Sequence, residues 1–297
     1  ANSASSIHIY VNAEAHLSFE RMTYALSLCE KYNLIGKNIL GSEFDANIKL
    51  LRGAGGYVCG EESTLINTME GDRREPRLRP PFPTQSGLHN LPTVVNNVET
   101  VCSLPYIISF GKDAFRTIGS PENSGTKIVS LSGSLKRSGV AEIAMGTSIK
   151  DILETVSGTD IDENLVGAAV GGPSSGILPN EKLDLLIEPG FIDGKYVMVG
   201  AGGIVGIGKE VDPLQIVRIL SSYNSSESCG KCTPCREGTP RISDMLGQFV
   251  KGKSSAKLTT DLNNLSRTVN AASLCGLGQS AGNPVLSYLE YFENGVK

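Results

Sequence analysis

The feature that most constrains this chain is Cys229-x-x-Cys232-x-x-Cys235, followed by Cys275 in Ser-Leu-Cys-Gly-Leu-Gly-Gln (273–279). Three thiolates separated by two residues on one loop can each bond one iron of a cube, and a fourth from a distant loop closes it. The fold must then carry two loops, forty residues apart in sequence, to one place. Zinc is the rival, but four-thiolate zinc sites usually pair two separate two-cysteine knuckles, whereas three ligands crowd together here. A cluster of unliganded structural cysteines is a third reading. Gly230, Gly238, Gly276 and Gly278 permit the tight turns and backbone N–H groups that sulfur atoms accept. Cys29, Cys59 and Cys102 stand singly in apolar surroundings and read as small buried hydrophobes. Seven cysteines, four of them in the last quarter, fit a metal site in a reducing compartment better than a disulfide framework.

The 297 residues suffice for two or three domains. Alternation over Ser6–Val11, the i, i+3, i+4, i+7 spacing of Met22, Ala25, Leu26 and Cys29, and a second strand over Ile48–Arg52 give the opening an α/β character. Pro76, Pro80, Pro81, Pro83 and Pro92 impose an extended loop. Short runs at Lys127–Leu131, Leu183–Ile187 and Tyr196–Val199 read as strands around a helix that starts near Thr147 and Ser148 and buries Ile149, Ile152, Leu153 and Val156, an α+β domain. Beyond this lies a helical region, with Asp212-Pro213, Thr239-Pro240 and Asn283-Pro284 as helix starts. The expected architecture is multidomain, α/β and α+β, ending in a four-helix bundle, with domains at 1–120, 121–210 and 211–297. A net charge of −4 argues against nucleic acid, no apolar run approaches the ~18 residues of a membrane span, and no secretory signal is recognisable.

Gly53-Ala-Gly-Gly-Tyr-Val-Cys-Gly-Glu-Glu-Ser63 is a glycine turn after a strand, in register with neither a dinucleotide fingerprint nor a Walker A loop. Glu61 and Glu62 suit a helix N-terminus, where a carboxylate offsets the dipole. Asn96-Asn-Val-Glu-Thr100 sets amide and hydroxyl groups at another helix start, a place that binds phosphate readily. The arginines of 73–79 read as solvated surface or as a nucleotide or partner contact.

In order, 53–63, Pro-Arg-Leu-Arg-Pro-Pro-Phe-Pro (76–83), Asn-Asn-Val-Glu-Thr (96–100) and Glu-Ser-Cys-Gly-Lys-Cys-Thr-Pro-Cys-Arg-Glu-Gly (227–238) resemble the NADH-binding flavoprotein subunit of respiratory complex I. Relatives of that subunit occur in NAD-linked hydrogenases and formate dehydrogenases. Ser132-Gly-Ser-Leu-Lys-Arg-Ser-Gly-Val140 is similar to part of that family's ubiquitin-like, soluble-ligand-binding β-grasp domain. The resemblance implies an electron-input subunit that oxidises NADH through FMN and passes single electrons to a 4Fe-4S cluster.

By the same resemblance, Tyr57, Gly60, Glu61 and Glu62 would line flavin and nicotinamide, with Glu62 as the catalytic carboxylate. Phe82 would stack near the adenine, while Asn96, Asn97 and Thr100 would hold polar groups of FMN. Cys229, Cys232, Cys235 and Cys275 would hold the cluster. Implied partners are other subunits of a redox complex, among them a thioredoxin-like 2Fe-2S subunit and a larger iron-sulfur subunit, on the cytoplasmic or matrix side and peripheral to the membrane. The family's Gly-Arg-Gly-Gly-x-Gly-Phe loop, its lysine and an Asn-x-x-Glu segment would lie upstream of Ala1, so the flavin domain is expected to be partial and the chain a fragment, the alternatives being one half of a split protein or a chain that has lost flavin binding. The alternatives are the same module in a soluble or electron-bifurcating hydrogenase or formate dehydrogenase, an iron-sulfur relay without flavin, and a zinc-stabilised scaffold.

Overall fold

The computed structural model describes residue 4 and residues 6–253 and 255–293. The chain divides into two compact units, 1–94 and 95–297, each with its own architecture.

In the first unit, β1 (Ile7–Val11) and β2 (Ile48–Arg52) pair in parallel, Ile9 opposite Leu50, through a crossover carrying α1 (His16–Lys31). Parallel pairing requires such a crossover, and a helix is its usual form. β2 runs into Gly53–Gly56, where Gly55 and Gly56 have φ of +76° and +81°, open to glycine and strained for other residues. A Cβ at Gly53 would meet the Tyr10 ring at 2.4 Å, so the chain crosses directly over that ring. Helix α2 (Glu62–Glu70) follows, and among described residues the buried apolar core of this unit is Ala46, Val58, Cys59 and Ile66.

The second unit opens with α3 (Val98–Cys102) and α4 (Leu104–Arg116), then builds a five-stranded sheet. Its strands are β3 (Thr126–Gly133), β4 (Gly139–Ala144), β5 (Leu165–Val170), β6 (Ile177–Pro179) and β7 (Gly203–Gly208), in the order β4-β3-β7-β5-β6. β3 and β7 are parallel at the centre, and the other pairings are antiparallel. Ser148 caps α5 (Ile149–Asp151), which continues into a wider turn over Ile152–Val156. A short α6 (Ile161–Asn164) leads into β5. Helices α7 (Pro213–Ser226), α8 (Thr233–Val250), α9 (Ala256–Ala272), α10 (Gly276–Ser280) and α11 (Asn283–Tyr288) complete the unit. Successive strand residues point to opposite faces. Ile204, Ala168 and Val170 therefore join Ile149, Ile152 and Leu153 in one core, while Ile207 and Ala169 join Val217, Ile242, Leu246, Leu262 and Val285 in another.

Several local expectations are corrected. Leu183–Ile187 and Tyr196–Val199 form only isolated bridges, Ser148 with Leu186 and Phe191 with Met198, although Leu183, Ile187 and Val197 are buried. Apolar burial there comes from loops folded against the sheet. Asp212 does cap α7, accepting from the Leu214 N–H at 2.9 Å. Thr239-Pro240 does not begin a helix: α8 starts seven residues earlier, with Pro234 in its first turn, and Pro240 lies inside it. Thr239 Oγ1 instead donates to the Cys235 carbonyl at 2.9 Å. Asn283 is the first residue of α11 rather than its cap, which is Gly282.

Candidate functional sites

The first unit presents the glycine-rich acidic segment. Glu61, not Glu62, caps α2: its Oε2 accepts from the Thr64 N–H at 2.8 Å, Thr64 Oγ1 at 3.0 Å and Ser63 Oγ at 2.6 Å. Burial raises the Glu61 pKa, but these donors from Ser63 and Thr64 outweigh it and hold the carboxyl below its ordinary value. Its other oxygen pairs with Arg79, whose Nη2 also lies 2.8 Å from Glu62 Oε1. One guanidinium thus spans both carboxylates. Arg77 closes the same loop by pairing with Glu70 and donating to Asn67 Oδ1 at 2.6 Å and to the Gly87 carbonyl at 3.2 Å. Arg74 donates to the Gly55 carbonyl at 3.2 Å.

The arginines of 74–79 are therefore internal ties of this unit, a role that sequence reading missed because nothing in local spacing pairs Arg79 with residues eighteen positions upstream. Tyr57 and Phe82 are 40% and 49% exposed, and a Cβ at Gly60 would meet nothing within 4 Å.

In the second unit, Asn97 caps α3, its Oδ1 accepting from the Glu99 N–H at 2.8 Å, while Asn96 and Thr100 are exposed. Glu99 fastens this helix start to β3, taking the Ile128 N–H at 2.8 Å and pairing with Lys127. Burial raises its pKa; the Ile128 and Lys127 contacts more than reverse that.

The four C-terminal cysteines lie on two loops that meet. Cys229 and Cys232 are in the turn between α7 and α8, Cys235 is in the first turn of α8, and Cys275 caps α10. The Leu274 N–H donates to Cys232 Sγ at 3.5 Å, and Ser228 Oγ lies 3.2 Å from Cys235 Sγ. A Cβ at Gly278 would come 2.5 Å from Ser273 and 3.2 Å from the Cys235 Cβ, so only glycine lets the Cys275 loop close on Cys235.

Burial pushes the Cys235 thiol up; Ser228 opposes this, and Cys232, Cys275 and Cys229 add to it. Cys275 is also raised, first by burial and then by Cys229 and Cys232, against the N–H groups of Gly278 and Leu277. Four thiols that repel one another's charge in a partly buried space form a donor set for a polycationic group. The three-cysteine loop meeting a fourth cysteine from a second loop fits a group that takes each thiolate at its own metal atom.

Residues 1–106 match the family model described as the Nuo51 FMN-binding domain, and residues 215–297 match the NADH-ubiquinone oxidoreductase-F iron-sulfur binding region. The chain is 36% identical over 296 residues to the F subunit of NADH-quinone oxidoreductase from Rickettsia felis, spanning 99% of this chain and 70% of that protein. It is 39% identical over 287 residues to the NADP-reducing hydrogenase subunit HndC of Solidesulfovibrio fructosivorans, 96% of this chain and 59% of that protein. An NAD+-reducing [NiFe]-hydrogenase structure in the air-oxidised state superposes with a TM-score of 0.84 at 30% identity, covering 98% of this chain and 48% of that one. The chain thus spans only part of the length of each of these proteins. A flavin-binding region followed by an iron-sulfur region defines a class of redox protein. Within it, the chain belongs to the family of the NADH-quinone oxidoreductase F subunit, whose matched regions bind FMN and a 4Fe-4S cluster.

Proposed function

We propose that the chain is the electron-input part of an NADH dehydrogenase module, taking electrons from NADH through FMN to one 4Fe-4S cluster held by Cys229, Cys232, Cys235 and Cys275. The observation that carries this reading is the meeting of the Cys229–Cys235 loop with the Cys275 loop in a member of this family. When bound, FMN accepts a two-electron hydride and releases electrons singly, and the cluster accepts one at a time.

The protein's part is placement and electrostatics. Glu61 is occupied as the cap of α2, which leaves Glu62 to face nicotinamide and flavin as the catalytic carboxylate, with Arg79 fixing its direction. Tyr57, Gly60 and Glu61 line the same pocket, and Phe82 stacks near the adenine. Asn96, Asn97 and Thr100 hold polar groups of FMN at the start of α3. The N–H groups directed at Cys232 and Cys275 stabilise charge on sulfur and so set the ease of reduction.

Domains at 1–120, 121–210 and 211–297 follow from this reading. The order β4-β3-β7-β5-β6, with a parallel central pair, supports a β-grasp sheet, and α7, α8, α9 and α11 support a four-helix cluster domain. Partners are a thioredoxin-like 2Fe-2S subunit and a larger iron-sulfur subunit. No helix among the described residues is long and apolar enough to cross a membrane, and we place the module at the periphery of a membrane complex. The likeness to an NADP-reducing hydrogenase subunit and to an NAD+-reducing [NiFe]-hydrogenase supports a second reading, the same module in a soluble NAD(P)-linked hydrogenase.

Iron and sulfide analysis with low-temperature EPR of the reduced native protein tests the cluster, and its flavin absorbance tests FMN. Stoichiometric zinc without a reduced-cluster signal would overturn the first. For Glu62, the Glu62→Gln variant of the full-length protein should impair NADH oxidation while leaving Tm nearly unchanged. A lowered Tm with intact oxidation would make Glu62 a helix-start residue only.

A further inference from the structure

Outside the two sites, the second unit contains a continuous chain of buried and half-buried amides and hydroxyls. Asn224, on α7, is fully buried, and Asn283 and Ser174 are nearly so. The Asn224 Nδ2 donates to the Pro173 carbonyl at 2.9 Å, and Ser174 Oγ donates to Asn224 Oδ1 at 2.9 Å. The Ser174 carbonyl accepts from Asn283 Nδ2 at 3.2 Å, and Asn283 Oδ1 accepts from Asn270 Nδ2, on α9, at 2.9 Å. The chain ends where Asn270 Oδ1 takes the Gly282 N–H at 2.8 Å. Each of the three amides uses both its nitrogen and its oxygen. Gly282 permits the last step, since a Cβ there would lie 2.6 Å from the Ser266 carbonyl oxygen.

Two facts separate this chain from ordinary core polarity. Asn224 lies five residues before Cys229, and Asn270 lies five residues before Cys275. The helices that deliver the two cysteine loops are thus tied to one turn of the sheet, the Pro173–Ser174 segment between β5 and β6: α7 directly through Asn224, and α9 through Asn283, which bonds Asn270. Stability alone does not call for such a grip, because replacing both partners of a buried hydrogen bond by apolar groups of the same shape can be nearly neutral. A fully satisfied polar network instead selects one arrangement of the elements it joins.

We propose that Ser174, Asn224, Asn270 and Asn283 are positioning residues for the cluster, a single hydrogen-bond chain, buried except at the half-buried Asn270, that sets the Cys275 loop against the Cys229–Cys235 loop. This rests on the cluster assignment proposed for the four cysteines. The residues touch no iron, and they act through the helices that end at the ligands.

The test uses the whole chain assembled with iron and sulfide. It compares Ser174→Ala and Asn283→Ala with Ser157→Ala, an equally buried hydroxyl bonded to the Leu153 carbonyl and Thr159, beside the core around α5. Asn283→Ala should release iron to a chelator about tenfold faster and alter the EPR line shape of the reduced cluster, the scale typical of residues that support metal ligands. Ser174→Ala should move both readouts in the same direction. Ser157→Ala should lower Tm and leave both untouched. Unchanged iron release and line shape in both network variants, with a Tm loss like the control's, would overturn the proposal.

If Asn283→Ala does not fold, Ser174→Ala decides. A wild-type chain that assembles no cluster would overturn the cluster assignment, and amide exchange over 274–278 in the metal-free chain then tests the positioning by itself. Faster exchange in the network variants than in Ser157→Ala supports it, and equal exchange refutes it.

Discussion

The two units hold their sites by opposite means. The thiol site rests on helices packed against a sheet whose strands β5 and β7 are buried on both faces, where Val217, Leu246, Ile204 and Ile207 are at most 1% exposed. The acidic site rests on a two-stranded sheet and a core of Ala46, Val58, Cys59 and Ile66, and α1 buries no residue completely. There the ties are ionic and hydrogen-bonded: Arg77 to Glu70, Arg79 to Glu61 and Glu62, Tyr10 to Thr68 and to the Ala54 N–H. Packing is insensitive to salt and pH but intolerant of lost volume, and ion pairs have the reverse weaknesses.

The largest expected effect is at the thiol site. Cys232→Ala should abolish stoichiometric iron binding, since one corner of the cube loses its ligand; full retention of iron and sulfide would break the assignment. Next comes packing. Ile204→Ala, in the centre of the second unit's sheet, should cost about 2–5 kcal/mol in denaturant unfolding, whereas Leu17→Ala, more than half exposed on α1, should stay within about 0.5 kcal/mol. Equal costs would mean that the first unit is packed as tightly as the second.

A smaller effect concerns the cap. Glu61→Gln should cost about 0.5–2 kcal/mol. Because the Glu61 pKa is lowered on folding, its contribution is complete above the ordinary carboxylate value of 4.5 and is lost as pH falls through the depressed folded value. Wild type should therefore lose stability in the first unit on acidification below about pH 4.5, and Glu61→Gln should lose less. Parallel acid curves for the two proteins would remove Glu61 from the account. Smallest is salt: raising ionic strength should speed amide exchange in 61–79 slightly and leave β3 and β7 unchanged, because partly exposed pairs such as Arg79 with Glu62 are worth only about 0–1 kcal/mol.

Chemistry that acts over a few residues was legible in the sequence. Ser148 and Asp212 cap the helices that their neighbours announce, β1 falls on the alternating run, β2 and β3 fall on the short strand-like runs, and the two cysteine loops meet as their spacing asks. Chemistry that acts through tertiary contact was not. Pro240 resembles a helix start but lies inside α8, because Pro234 occupies the first turn of a helix that begins just after Cys232. Leu183 and Val197 look like strand residues because they are apolar, yet burial does not require a ladder. Asn283 reads as a helix start and nothing in the local pattern singles out Asn224 or Asn270; their partners are supplied from as far as 109 residues away. Glu61 and Glu62 were indistinguishable as neighbours until the backbone at Glu61 turned extended and assigned it the cap.

Gly238 has a mechanical consequence. A Cβ at that position would lie 2.2 Å from Val269 Cγ2, so α8 and α9 approach each other as closely as an unsubstituted backbone allows, within one turn of Cys235. Packed helices commonly move by sliding a small distance along each other. Here the Val269 methyl seats in the notch left by the missing side chain and acts as a detent, so axial slip would have to lift it out. The stretch of α8 that carries Cys235 and the stretch of α9 that leads to Cys275 are thereby keyed together, so that neither can slide along the other without unseating the Val269 methyl.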